Sequence, residues 1–145
     1  MLYVDTSVIV KLYVNEPFSQ DVSTWIRSNN EAIPLTLFHD LEFNNAIQLK
    51  RFRSEISPEQ AILIDSKREE HEKKGVYYRP PMNWADAFQC AIDLSRKHTV
   101  AIGSRSLDII HISSALTMKA DRFLTFDERQ MQLADLAGLT VQKCA

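Results

Sequence analysis

The chain has 145 residues, about one domain's worth, and its 45% apolar content is enough to bury one core beneath a solvated surface. With 17 Lys+Arg against 19 Asp+Glu the formal net charge is -2, which excludes a histone-like polycation and an acidic tail and confines any nucleic-acid binding to a local site. Only 3 Gly and 5 Pro are present, so collagenous and Gly- or Pro-rich disordered chains are excluded as well. Cys90 and Cys144 form neither a CxxC pair nor a disulfide framework, as expected in a reducing compartment. The start has no basic segment or long apolar run, and the apolar runs elsewhere are too short to span a bilayer. The expectation is a soluble, cytoplasmic protein with no signal peptide and no membrane contact.

Leu2, Tyr3 and Val4 predict a short strand ending at Asp5, then a helix over 8–13 with Thr6 and Ser7 as hydroxyl caps. That helix is apolar nearly all round, with Val8, Ile9, Val10, Leu12, Tyr13 and Val14, and a second over 18–26 adds Phe18, Trp25 and Ile26. Such surfaces are either buried or covered by another chain. A strand is expected over 32–36 and a long helix over 37–53. Ser57, Pro58 and Gln60 spell a capping box with proline at the first helical position, and the helix it opens ends in the charged run 67–74, closed by Gly75. A short strand over 76–79 stops at Pro80 and Pro81. Asn83 caps a helix with Trp84, Phe88, Ala91 and Leu94 along one stripe, and another helix begins after Gly103 and Ser104. A strand over 122–126, a helix over 127–137 ended by Gly138 and a last strand over 139–141 complete the chain. Short strands alternating with long helices predict a three-layer α/β/α sandwich around a central, mostly parallel sheet, with residues 1–145 as a single domain.

Four acids do not suit ordinary surface positions. Asp5 ends a strand, where an open parallel sheet presents its ligand-binding edge, and Asp127 repeats that strand-to-helix position. Glu42 interrupts the helical stripe Phe38, Glu42, Ala46 and Leu49, and Asp108 aligns with Ile112 and Ala115. Carboxylates on inward faces require partners. Four of them in one cleft would repel by about 3 kcal/mol per pair at about 5 Å and an effective dielectric near ~20, so cations are needed. Oxygen-only ligands suit Mg2+, with Mn2+ as a substitute, rather than Zn2+, and such an ion can activate water against a phosphodiester. The histidines form no HExxH or Cys/His metal pattern, and His111 reads as a surface or satisfied core residue. The 67–74 run reads as a solvated helix face.

The order Tyr3-Val4-Asp5-Thr6-Ser7, Leu41-Glu42-Phe43-Asn44-Asn45-Ala46, Arg105-Ser106-Leu107-Asp108-Ile109-Ile110-His111 and Phe123-Leu124-Thr125-Phe126-Asp127 resembles the PIN-domain nucleases, in particular the VapC toxin ribonucleases of toxin–antitoxin pairs. The resemblance covers essentially the whole chain. It implies a metal-dependent endoribonuclease with Asp5, Glu42, Asp108 and Asp127 as catalytic and metal-holding acids. Ser7 and Thr125 match its supporting hydroxyls, and Arg105 is a candidate RNA contact. It also implies an RNA substrate, a homodimer and a cognate antitoxin that obstructs the site. Ser113 and Ser114 depart from the small apolar residues usual after the third acid.

Rival readings fit less well. The first strand also resembles the Asp-x-Asp-x-Thr of haloacid dehalogenase-type phosphatases, but Ser7 replaces the second aspartate. Ile9 stands where an Asp-x-Ser-x-Ser adhesion module needs serine, and a receiver domain's adjacent acidic pair is missing beside Asp5. The non-enzymatic alternative is a non-catalytic PIN-like module that binds RNA or protein.

Overall fold

The computed structural model describes residues 1–144. Its elements run β1 (Leu2–Val4), α1 (Thr6–Val10), α2 (Ser19–Ser28), β2 (Ile33–Pro34), α3 (Leu37–Phe52), α4 (Pro58–Lys73), β3 (Tyr77–Tyr78), α5 (Trp84–Ile102), α6 (Ser106–Thr117), β4 (Arg122–Leu124), α7 (Glu128–Leu136) and β5 (Thr140–Gln142). Each expected helix and strand is present, but the strands are short. β2 stops because Thr36 turns to cap α3, its side chain accepting from the His39 N–H while the His39 ring accepts from the Thr36 N–H at 3.1 Å. Ser57 and Gln60 form the expected capping box, Asn83 caps α5 as expected, and Asp127, expected as the first residue of its helix, is the N-cap of α7.

The chain divides into two compact units, one of Met1–Asp5 with Pro80–Lys143, the other of Thr6–Arg79 with Cys144. In the first, β1, β4 and β5 form a parallel sheet in that order, with Tyr3 opposite Phe123 and Phe123 opposite Val141. The Tyr3 and Phe123 rings stack, 5.4 Å between centroids and 8° between planes. Around them α5 packs along α6, and α7 along both α6 and β5, burying Ile109, Ile112, Ala115 and Leu133 in one apolar cluster. This sheet is what places Asp5 and Asp127, since Asp5 directly follows β1 and Asp127 comes after Thr125 and Phe126 at the end of β4.

In the second unit β2 and β3 pair in parallel, Ile33 opposite Tyr77, and α1 packs on α3, α3 on α4 and α4 on β3. α1 starts at Thr6, two residues before the expected helix, so Thr6 is helical rather than a preceding cap. Its Val8, Ile9 and Val10 are buried within the chain itself, which removes the need for a foreign cover over that helix. Two stripes also differ from expectation. On α3 the buried residues are His39, Phe43 and Ile47, one position along from the stripe through Glu42, so Leu49 is exposed and Glu42 sits at the border of the core. On α5 Ala87 takes the buried position and Phe88 is 53% exposed. The buried face of α5 runs through Ala87, Ala91 and Leu94, and Phe88 lies one position along from it.

Replacing Phe123 with Ala should remove the cross-strand stack and open a cavity at the centre of the first unit. The expected loss is about 3–5 kcal/mol, read as a lower urea midpoint with an unchanged slope.

Candidate functional site

The carboxyl end of β1 delivers Asp5, only 6% exposed, and its backbone N–H still follows the ladder by donating to Leu124 O at 3.0 Å. A buried carboxylate needs donors. Thr125, just beyond β4 on the neighbouring strand, donates its hydroxyl to Asp5 Oδ2 at 3.3 Å. The same hydroxyl accepts the Asp127 N–H at 3.0 Å. Asp127 caps α7 by accepting the Gln130 N–H on Oδ1 at 2.9 Å, and the Gln130 side chain donates from Nε2 to Asp108 Oδ1 at 2.9 Å. Asp108 Oδ2 accepts from Arg105 Nε at 2.8 Å, and Arg105 Nη2 lies 4.0 Å from Asp127 Oδ2. One unbroken chain of hydrogen bonds therefore links Asp5, Thr125, Asp127, Gln130, Asp108 and Arg105. The Arg105 side chain is 71% exposed, and its bond to Asp108, with the charges of Asp108, Asp127 and Asp5 behind it, raises its pKa above the ordinary value.

Glu42 belongs to the second unit. Its Oε1 accepts from the Thr6 hydroxyl at 2.8 Å, and Thr6 directly follows Asp5 in the chain. Ser7 lies exposed in the first turn of α1. Of the residues singled out in the sequence, Asp5, Asp108, Asp127, Thr125 and Arg105 are thus joined in one network of the first unit, while Glu42 and Ser7 stand on elements of the second.

Two members of the site escaped the sequence reading. His111 is a core residue, as one of its two readings had it, but its partners matter: Nε2 lies 3.3 Å from Asp5 Oδ1 and Nδ1 2.8 Å from the Tyr3 hydroxyl. A carboxylate only accepts, so Nε2 carries the proton and Nδ1 accepts from Tyr3. Tyr3 thereby fixes the ring that holds Asp5. The available signal was position, because His111 lies three residues after Asp108, on the same side of the helix. Gln130 is 2% exposed, and the pair Asp127 and Gln130 has the spacing of a capping box. Its side chain does not return to the cap, because Thr125 already takes the Asp127 N–H; it reaches Asp108 instead. Gln130 Oε1 is buried and has no hydrogen-bond partner among the described residues.

A PIN domain family profile matches residues 2–136, and the chain belongs to that family. The solved structure titled FitAcB from Neisseria gonorrhoeae is similar in fold, with a TM-score of 0.67 and 16% identity, covering 99% of this chain and 97% of that one. No curated protein sequence matches. The α/β/α fold expected from the strand and helix pattern is the fold of this family, and the family recognised from the four acidic motifs is the one found.

Tyr3→Phe should cost about 1–3 kcal/mol, since it leaves the buried His111 Nδ1 without this donor. In the unaltered protein, nitrogen NMR of the His111 ring should show the Nε2-protonated tautomer.

Proposed function

We propose that this chain is a divalent-metal-dependent endoribonuclease, the toxin of a toxin–antitoxin pair, in which both units act as a single nuclease domain in the cytoplasm. The observation that carries this reading is the hydrogen-bonded chain that gathers Asp5, Asp127 and Asp108 at the carboxyl ends of β1 and β4 and the start of α6. Family membership supports nuclease chemistry. Glu42 is the fourth acid of the proposal, supported by its bond to the residue next to Asp5.

The donor set fits a hard ion. Asp5, Asp108 and Asp127 offer carboxylate oxygens and no sulfur, and His111 presents a proton rather than a lone pair to Asp5, which favours Mg2+ or Mn2+ over Zn2+. When bound, the ion supplies Lewis acidity for activating water and for neutralising charge on the phosphodiester. The chain's own residues supply the rest. Thr125 and His111 hold the two oxygens of Asp5, so this carboxylate keeps one orientation. Gln130 sets the spacing of Asp108 and Asp127. Arg105, exposed on a flexible stem and paired with both, is free to exchange these partners for an RNA phosphate. Ser7, in the first turn after Asp5, is assigned a supporting role on family resemblance.

An antitoxin and a second copy of the chain are the proposed protein partners. Leu37 and Leu41 on α3, and Ile62 and Leu63 on α4, leave apolar surface exposed in the second unit for such contacts.

Cleavage of RNA by the purified chain should require Mg2+ or Mn2+, stop on chelation, and disappear in Asp5→Asn, Glu42→Gln, Asp108→Asn and Asp127→Asn proteins that remain folded. RNA binding without cleavage in the presence of metal would instead identify a non-catalytic module. Gln130→Leu should fold normally but lose about 10-fold to 100-fold in metal affinity, measured by Mn2+ titration. Expression alone should arrest growth, and co-expression of the adjacent antitoxin gene should relieve it.

A further inference from the structure

The second unit contains a cavity of about 470 Å3 at the amino ends of β2 and β3, the opposite end of β2 from the one that leads into α3 and Glu42. Lys67 and His71 line it from α4 and Lys74 from the C-cap of that helix, at i, i+4 and i+7, and Arg27 lines it from the last turn of α2. Lys74 is paired with Glu70 at 2.6 Å, and Glu31 is the acid on the wall. Arg27 and Lys67 form no ion pair among the described residues, although the Lys67 charge helps to lower the Glu70 pKa. Cations in the last turn of a helix interact favourably with its dipole, which accounts for Arg27 on α2, but Lys67 lies earlier on α4 and has no such explanation.

His71 is the directional element of the cavity. Its Nδ1 bonds the Tyr13 hydroxyl at 2.8 Å, which bonds the Tyr77 hydroxyl at 2.7 Å. Tyr77 is buried, and if the chain ran from His71 toward it, the Tyr77 proton would have no acceptor among the described residues. The proton order is therefore Tyr77 to Tyr13 to Nδ1, which leaves the neutral imidazole with its proton on Nε2. Burial pushes the Tyr77 hydroxyl up to about 12 and Tyr13 higher still, so both stay protonated. Burial, opposed by Glu70 and aided by Lys67 and Lys74, holds His71 below its ordinary value.

We propose that this cavity is a phosphate-binding site, separate from the acidic site, that takes the phosphate group of a nucleotide or of an RNA strand. Arg27, Lys67 and Lys74 supply the charge and His71 Nε2 a fixed hydrogen-bond donor. The volume lies within the range of about 300–1,000 Å3 typical of small-ligand pockets, which leaves room for a sugar and base beside the phosphate.

Calorimetric titration of the full chain at physiological salt, with EDTA to prevent cleavage, tests this with three probes: inorganic phosphate, adenosine monophosphate and a 2′-O-methyl oligoribonucleotide. At least one should bind saturably, and Arg27→Ala/Lys67→Ala should weaken it at least tenfold, a double change at exposed positions whose folding is checked by the thermal midpoint. His71→Gln should weaken the same probe, and the His71 ring resonances should shift on titration. Tightest binding of the mononucleotide identifies a free nucleotide as the source, and tightest binding of the oligonucleotide identifies an RNA strand. Absence of saturable binding for all three probes, or equal affinity in the double variant, overturns the site.

Discussion

The Thr125 hydroxyl is the interaction on which the acidic site depends. It donates to Asp5 and accepts from the Asp127 backbone, so one oxygen fixes the distance between two strand ends. Because it occupies the Asp127 N–H, the glutamine three residues on is released from the capping role its spacing suggests and turns to Asp108. Three carboxylates in one region repel one another, and each is held by a donor rather than by apolar packing. The sheet supplies the other half of the arrangement, since the in-register pairing of β1 with β4 puts Asp5 and Thr125 on adjacent strands.

Much of this was legible in the sequence, and for identifiable reasons. Helix boundaries followed from local chemistry: Ser57 with Gln60, Asn83, and glycine at 75 and 103, where φ is positive and any residue with a Cβ would be strained. Asp5 and Asp127 could be picked out because a strand-to-helix junction is a local pattern. The faces of α3 and α5 were less legible. Periodicity gives a stripe only to within one residue, and the choice between Phe88 and Ala87 depends on how the helix is rotated against its neighbours, which no local pattern encodes.

His111 and Gln130 were missed for a different reason. Each has an ordinary local explanation, as a core histidine or the third residue of a capped helix, and their significance arises from partners far away in sequence, Tyr3 with Asp5 for one and Asp108 for the other. The charged run 67–74 is a parallel case. Read alone it is a solvated helix face, yet Tyr13 and Tyr77 fix the orientation of the histidine inside it.

The first unit is assembled from both ends of the chain, and the bond from Thr125 to Asp5 spans 120 residues. During synthesis β1 therefore leaves the ribosome without its sheet partner, while the second unit, nearly continuous in sequence, can fold first. Asp5 obtains neither His111 nor Thr125 until more than a hundred further residues have been added. A ribosome-bound fragment that stops short of Thr125 thus lacks the hydroxyl that ties Asp5 to the Asp127 backbone.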